Sequence, residues 1–342
     1  MTAFGNSTLR YAAIVMAAML LSGCGRSPAG PSVVVYTSVD QVYSEPILRR
    51  FEAGTGIKVL AVYDVEAAKT TGLVNRLIAE AGRPQADVFW NGESSQTLVL
   101  AERGVLAPYR SPAARGLPAG YTDPAGYWTG MGGRARVLLV NRNLVPPADY
   151  PHSIFDLLDN KWPARKIGIA NPLFGTSCTQ AAALYGALGP ERAQDFYRRL
   201  AARGVRVLDG NSVVRDLVGN GELLFGWTDS DDACSAILRG DPVSVVIPDQ
   251  DLMGTLIIPG TAALVAGAPH PEQGRRLLDF LLGVEAERLL VECGFSQLAL
   301  RDPSIRPDCL AVGQMKHLQV SLADIQRFLP RVQSELTEIF LR

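Results

Sequence analysis

Histidine is scarce in this 342-residue chain: only His152, His270 and His317 occur, and no Cys-x-x-Cys or close Cys/His spacing accompanies them. A zinc, copper or nickel site built on imidazole and thiolate is therefore not expected. No Gly-x-Ser-x-Gly occurs, and Ser, His and Asp fall into no recognisable nucleophile arrangement, so the sequence reads as a non-enzyme. Charge of one sign is lacking too. With 33 Lys and Arg against 34 Asp and Glu, the chain has no basic field to attract nucleic acid. Long apolar runs are confined to the first two dozen residues.

That run, Tyr11 to Leu20 behind Arg10 and before Leu21-Ser22-Gly23-Cys24, is shorter than the roughly 20 apolar residues that span a bilayer. It reads as a secretory signal over residues 1–23. The Leu-Ser-Gly-Cys stretch resembles a lipoprotein box, which makes Cys24 the lipidated first residue of the mature chain and 24–32 a flexible tether. Removing 1–23 takes away Arg10 and no acid from a net charge of −1. The remaining length exceeds what one core usually supports, so two lobes are expected.

Cys178, Cys234, Cys293 and Cys309 remain. Outside the cytoplasm an even number suggests pairing, and the expectation is Cys293 with Cys309, across a Pro-containing loop, and Cys178 with Cys234, joining two helix starts.

From Val33 onward, short apolar runs alternate with amphipathic segments: Val33–Tyr36, Lys58–Val62 and Ala86–Trp90, each followed by a helical pattern. Such alternation implies βαβ units and mainly parallel sheets covered on both faces. A strand over Ala135–Val140 opens a second series, with strands at Ile167–Ala170, Val205–Leu208 and Leu223–Trp227 and helices between. The expected fold is α/β and two-lobed. One lobe comprises 33–133 and 259–342 and the other 134–258, with two crossover strands, near Gly133–Val140 and Thr255–Gly260, as the hinge.

Open α/β sheets bind ligands beyond the carboxyl ends of their strands. Ser38 and Asp40, Glu93, Gly175-Thr176-Ser177, Asn211 and Asp229–Asp232 all occupy such positions, with Tyr36, Trp90 and Trp227 nearby. Three carboxylates in four positions, Asp229, Asp231 and Asp232, exceed what capping of the helix that follows requires; like-charge repulsion then calls for a positive guest. Asp40 and Glu93 sit at strand ends of the opposite lobe. With Asp231 and Asp232 they would complete an oxygen cage for a hard cation. Gly175-Thr176-Ser177, opening a helix, and Arg134, alternating with Arg136 in the crossover strand, suit an anion.

These residues carry a family resemblance. VVVYTSVDQ, ADVFWNGES, GRARVLLVN, NPLFGTS, GNSVV and NGELLFGWTDSDD together resemble the periplasmic solute-binding proteins of ABC importers, type II, specifically the ferric-iron-binding group and its phosphonate- and sugar-phosphate-binding relatives. The resemblance implies an exported, monomeric protein, lipid-anchored through Cys24. It would carry no catalytic cofactor, capture iron or another hard cation with or without an accompanying anion, and deliver it to an inner-membrane permease. It also implies alternatives: a phosphonate or sugar phosphate held by Gly175–Ser177 and the arginines, or a polyamine stacked on the aromatics. The chain departs from the ferric pattern in having Asp40 where that group places His, and Asp231 and Asp232 where it places paired Tyr.

Overall fold

The computed structural model describes residues 30–64, 71–117, 120–302, 304–310 and 315–341. The signal segment 1–23, Cys24 and most of the tether lie outside the described residues. No helix among the described residues is long and apolar enough to cross a membrane.

The first series of elements runs β1 (Ser32–Thr37), α1 (Gln41–Thr55), β2 (Lys58–Tyr63), α2 (Thr71–Ala79), β3 (Val88–Asn91), α3 (Ser95–Glu102) and β4 (Leu106–Ala107). A long β5 (Thr129–Asn141) leads to β6 (Ile167–Ala170), α4 (Gly175–Leu188), α5 (Pro190–Arg203), β7 (Arg206–Leu208), α6 (Asn211–Gly219), β8 (Phe225–Asp229), α7 (Ser230–Leu238) and β9 (Val243–Val246). The chain returns through β10 (Ile257–Val265) and ends with α8 (Pro271–Leu281), α9 (Val284–Glu292) and α10 (Leu322–Phe340).

The strands lie in the order β2-β1-β3-β10-β5-β8-β6-β7, with β4 on β10 and β9 on β5. Pairings within each half, β1 with β2 and β3, β6 with β7 and β8, are parallel. The two strands that join the halves are antiparallel to their neighbours: β10 pairs with β3 and β5, and β5 continues onto β8. Both crossovers expected from the sequence are present, and β5 is longer than its apolar core because the Gly-rich start Thr129–Gly133 is also extended and buried. Gly132 is required there: its φ is +53, and a Cβ would come within 2.4 Å of Ser296 Oγ, a backbone conformation and a clearance that only glycine tolerates.

Two large apolar clusters follow the two halves. One gathers Val33, Val35, Ile47, Phe51, Trp90 and Leu277; the other gathers Leu138, Ile169, Tyr185, Phe196 and Trp227. The second cluster also contains Ile325, Leu329, Val332 and Leu336 of α10. The last helix thus packs on the core of the second half, which differs from the sequence-based grouping of 259–342 with the first. Its apolar stripe at three- and four-residue spacing finds its complement on α4 and α5, and each such side chain contributes about 1.5–3 kcal/mol by burial.

The cysteine pairing differs from expectation as well. Cys234 of α7 is bonded to Cys309, with Cα atoms 5.3 Å apart, while Cys178 and Cys293 are free. Cys178 lies within the α4 core, 3 % exposed, and burial raises its thiol to about 12. The chain after α9 passes beside α7, so Cys309 meets the cysteine on that helix. A linear sequence does not encode this proximity.

Candidate functional site

Five strand ends meet around one cavity enclosing about 640 Å³ of empty space, part of it open to solvent. From the first half come Ser38 and Asp40 after β1 and Gly92 and Glu93 after β3. From the second come Phe174–Ser177, Asp209–Ser212 and the turn from β8 into α7, Asp229, Asp231 and Asp232. Arg134 of β5 and Phe295 lie between the two halves. The position-based reading of the sequence therefore gathers its candidates into one place: Ser38, Asp40, Glu93, Arg134, Gly175, Thr176, Ser177, Asn211, Asp229, Asp231 and Asp232 all line this cavity.

Their partners are less simple than a cage of carboxylates. Glu93, 1 % exposed, accepts from Ser95 N and Oγ at 2.6 Å each, Gln96 N at 3.1 Å, Asn91 Nδ2 at 3.2 Å and Thr179 Oγ1 at 2.8 Å. Its oxygens are occupied by the start of α3 and by α4. The three clustered aspartates each meet an arginine: Asp229 meets Arg136 at 2.6 Å, Asp231 meets Arg134 at 2.9 Å, and Asp232 meets Arg215 at 3.1 Å.

The pairing does not exhaust the acid. Asp231 gives Oδ2 to Arg134, whereas its buried Oδ1 has no hydrogen-bond partner. One oxygen from each of Asp229, Asp231 and Asp232 lies within 4.8 Å of the others. Counting Asp40, Glu93 and Asp209 as well, six carboxylates line the cavity against the three arginines Arg134, Arg136 and Arg215, a formal excess of three negative charges. The electrostatics follow. Burial pushes the Asp231 carboxyl above its ordinary value despite Arg134, with Asp229 and Asp40 adding to the rise. For Asp229, burial is outweighed by Arg136, Arg134 and Thr176, and its carboxyl is held below the ordinary value.

Arg134 is the connector. It lies 4.9 Å over the Phe295 ring and donates to Gly92 O at 2.7 Å in the first half and to Asp231 in the second. The N-termini of α4 and α6 border the same cavity, and neither helix has a side-chain cap at its N-cap residue, Phe174 or Gly210.

The three aromatics placed near the strand ends do not line the cavity. Trp90, Tyr36 and Trp227 are core residues, at 0, 1 and 3 % exposure, so the stacked-polyamine arrangement has no aromatic wall from them. Sequence reasoning missed Phe174, Asp209, Phe295, Tyr43 and Arg215. Asp209 directly follows β7, much as Asp229 closes β8, a signal that was available. Tyr43 follows Asp40 by three residues and so shares its helix turn. Burial and then Asp231, Asp232 and Asp40 raise its pKa, which keeps it a neutral phenol. Phe295 and Arg215 carry no local signal.

Comparison with known proteins identifies the family and the fold. Residues 32–296 match the family model described as bacterial extracellular solute-binding protein. Iron uptake protein A1 of Synechocystis sp. is 25 % identical over 329 residues, covering 90 % of this chain and 89 % of that protein. A putative 2-aminoethylphosphonate-binding periplasmic protein of Salmonella paratyphi A is 27 % identical over 249 residues, 71 % of either chain. The structure of iron-bound HitA from Pseudomonas aeruginosa superposes with a TM-score of 0.82 at 22 % identity, over 91 % of this chain and 99 % of that one, which shows a shared fold, the type II periplasmic-binding-protein architecture. These relatives are solute-binding proteins and not enzymes. The chain accordingly belongs to the bacterial extracellular solute-binding protein family and is similar within it to the periplasmic ferric-binding proteins.

Proposed function

We propose that this protein, anchored to a membrane by a lipid on Cys24, captures a hard metal cation, iron foremost, in the cavity between its halves and delivers it to an ABC permease in the inner membrane. One observation carries the cation reading: Asp231 Oδ1 is buried and unpartnered beside the oxygens of Asp229 and Asp232 in a cavity with excess acid. A buried carboxylate oxygen without a partner is costly, and a hard cation or a strong donor relieves that cost. In this reading the donor set is Asp231 and Asp232 with Asp40. The arginines Arg134 and Arg215 orient those carboxylates from behind, as outer-shell hydrogen bonds do in metal sites. Glu93, with both carboxylate oxygens already accepting from the protein, holds the cavity wall instead. Iron is preferred over other hard cations because relatives such as iron uptake protein A1 are named for it.

A second reading rests on a specific observation. The uncapped N-termini of α4 and α6 border the same cavity, so a small zwitterion could place an oxyanion there and its amine at Asp231. The cavity lacks the imidazole and paired phenolates of the ferric pattern, and the 2-aminoethylphosphonate-binding relative fits this alternative.

Thermal melting separates the two. A ligand that binds the folded protein and is supplied at a hundred times its Kd stabilises it by about 2.7 kcal/mol, a rise of about 4 °C for a chain of this size. Ferric, ferrous or manganese ions should raise the melting temperature and 2-aminoethylphosphonate or spermidine should not. A rise with 2-aminoethylphosphonate alone transfers the assignment to the zwitterion.

A further inference from the structure

Asp229 is the N-cap residue of α7, yet its side chain makes no cap hydrogen bond to that helix. The carboxylate turns the other way, into donors from three other elements. Its Oδ2 accepts from Thr176 Oγ1 of α4 at 2.6 Å and from Asn211 Nδ2 of α6 at 3.1 Å. Its Oδ1 accepts from Arg136 Nη1 at 2.6 Å, and Arg134 Nη1 stands 3.5 Å from Oδ2. Only 1 % of the residue is exposed.

A hydroxyl and an amide on the first turns of two helices, facing two guanidinium groups, form the donor set by which proteins hold an oxyanion from solution. Here one carboxylate of the chain accepts from the hydroxyl, the amide and Arg136, with the Arg134 charge beside it. We infer that Asp229 is a built-in counter-anion: it stands where an anion bound with the cargo would otherwise sit, so the cavity takes its cation without a partner anion and turns away free oxyanions. The part concerning the cargo rests on the cation reading above. The part concerning exclusion of oxyanions does not.

Two arms test it. In the first, inorganic phosphate or acetate at millimolar concentration is added during thermal melting of the full protein and of Asp229→Ala. In the variant the donors and the Arg136 charge lose their carboxylate, so both anions should raise its melting temperature saturably by several degrees while leaving the unaltered protein unmoved. Stabilisation of the unaltered protein by phosphate to the same degree overturns the inference, as does a folded variant indifferent to both anions. In the second arm, needed if the alanine variant does not fold, manganese chloride is titrated into the unaltered protein by calorimetry with and without phosphate. Affinities equal within about twofold support the inference, and a gain of about tenfold or more with phosphate overturns it, since such a gain is a coupling free energy between metal and anion. If no metal binds in either buffer, the cation reading fails, and stabilisation of the unaltered protein by phosphate, or its absence, then decides the exclusion of oxyanions alone.

Discussion

Asp231 combines two properties that rarely coexist in one carboxylate. One oxygen is fixed by a buried guanidinium 2.9 Å away, and the other is buried with no partner. Replacing it by Asn keeps the shape and removes the charge, so metal affinity measured by calorimetry should fall on the order of 100-fold. An unchanged affinity would remove Asp231 from the donor set. The pH dependence follows from the direction of its shift. A raised pKa means that the folded protein protonates Asp231 at higher pH than an ordinary carboxylate near 3.9, and a protonated carboxyl is lost as a donor. Cation affinity should therefore decline on acidification from neutrality well before ordinary carboxylates titrate, and the decline should be shallower in Asp231→Asn. The acidic cluster itself was legible in the sequence, because three aspartates follow an apolar strand and precede an apolar helix. Of its arginines, Arg134 and Arg136 were legible as alternating positions of the crossover strand, and Arg215 was not. Arg215 lies one helix earlier, and nothing in its neighbourhood distinguishes it from a solvated charge.

At the scale of elements, the disulfide decides how α7 is held. Cys234 is on the helix whose first turn carries Asp231 and Asp232, and Cys309 belongs to the segment after α9, 75 residues away. Closing a loop of that length is worth about 4 kcal/mol in the chain-entropy account. Cys309→Ser should lower stability by about 2–4 kcal/mol in denaturant unfolding, whereas Cys178→Ser, which breaks no bridge, should show no loss of cross-link when non-reducing peptide maps are compared. A map joining Cys293 to Cys309 would contradict the structure. The sequence indicated strands and helices well wherever apolar periodicity and a turn signal coincide, as in β1, β6 and α6. It indicated β5 only in part, since glycine lowers strand preference locally and the burial of Thr129–Gly133 is set by neighbours distant in sequence. Pairing among four cysteines requires the same distant information.

For the whole molecule, the alternation of strands and helices was readable, because each half repeats the same parallel βαβ logic, whereas the antiparallel pairing of β5 and β10 came from the structure. The placement of α10 was not readable either: an amphipathic stripe states that a helix must be covered, not by which half. The cavity arises from this architecture. Strand ends from both halves face one another, and Arg134 touches Gly92 on one side and Asp231 on the other; under the proposed reading, a guest that neutralises the acids would be coupled to closure of the halves upon it. The central claim is that the guest is a metal cation. It is tested most directly by elemental analysis of the protein purified without chelator and without a metal-affinity column. The account predicts close to one equivalent of a hard metal, iron foremost, lost on Asp231→Asn; a metal-free protein whose native mass spectrum shows a bound organic phosphonate would contradict it.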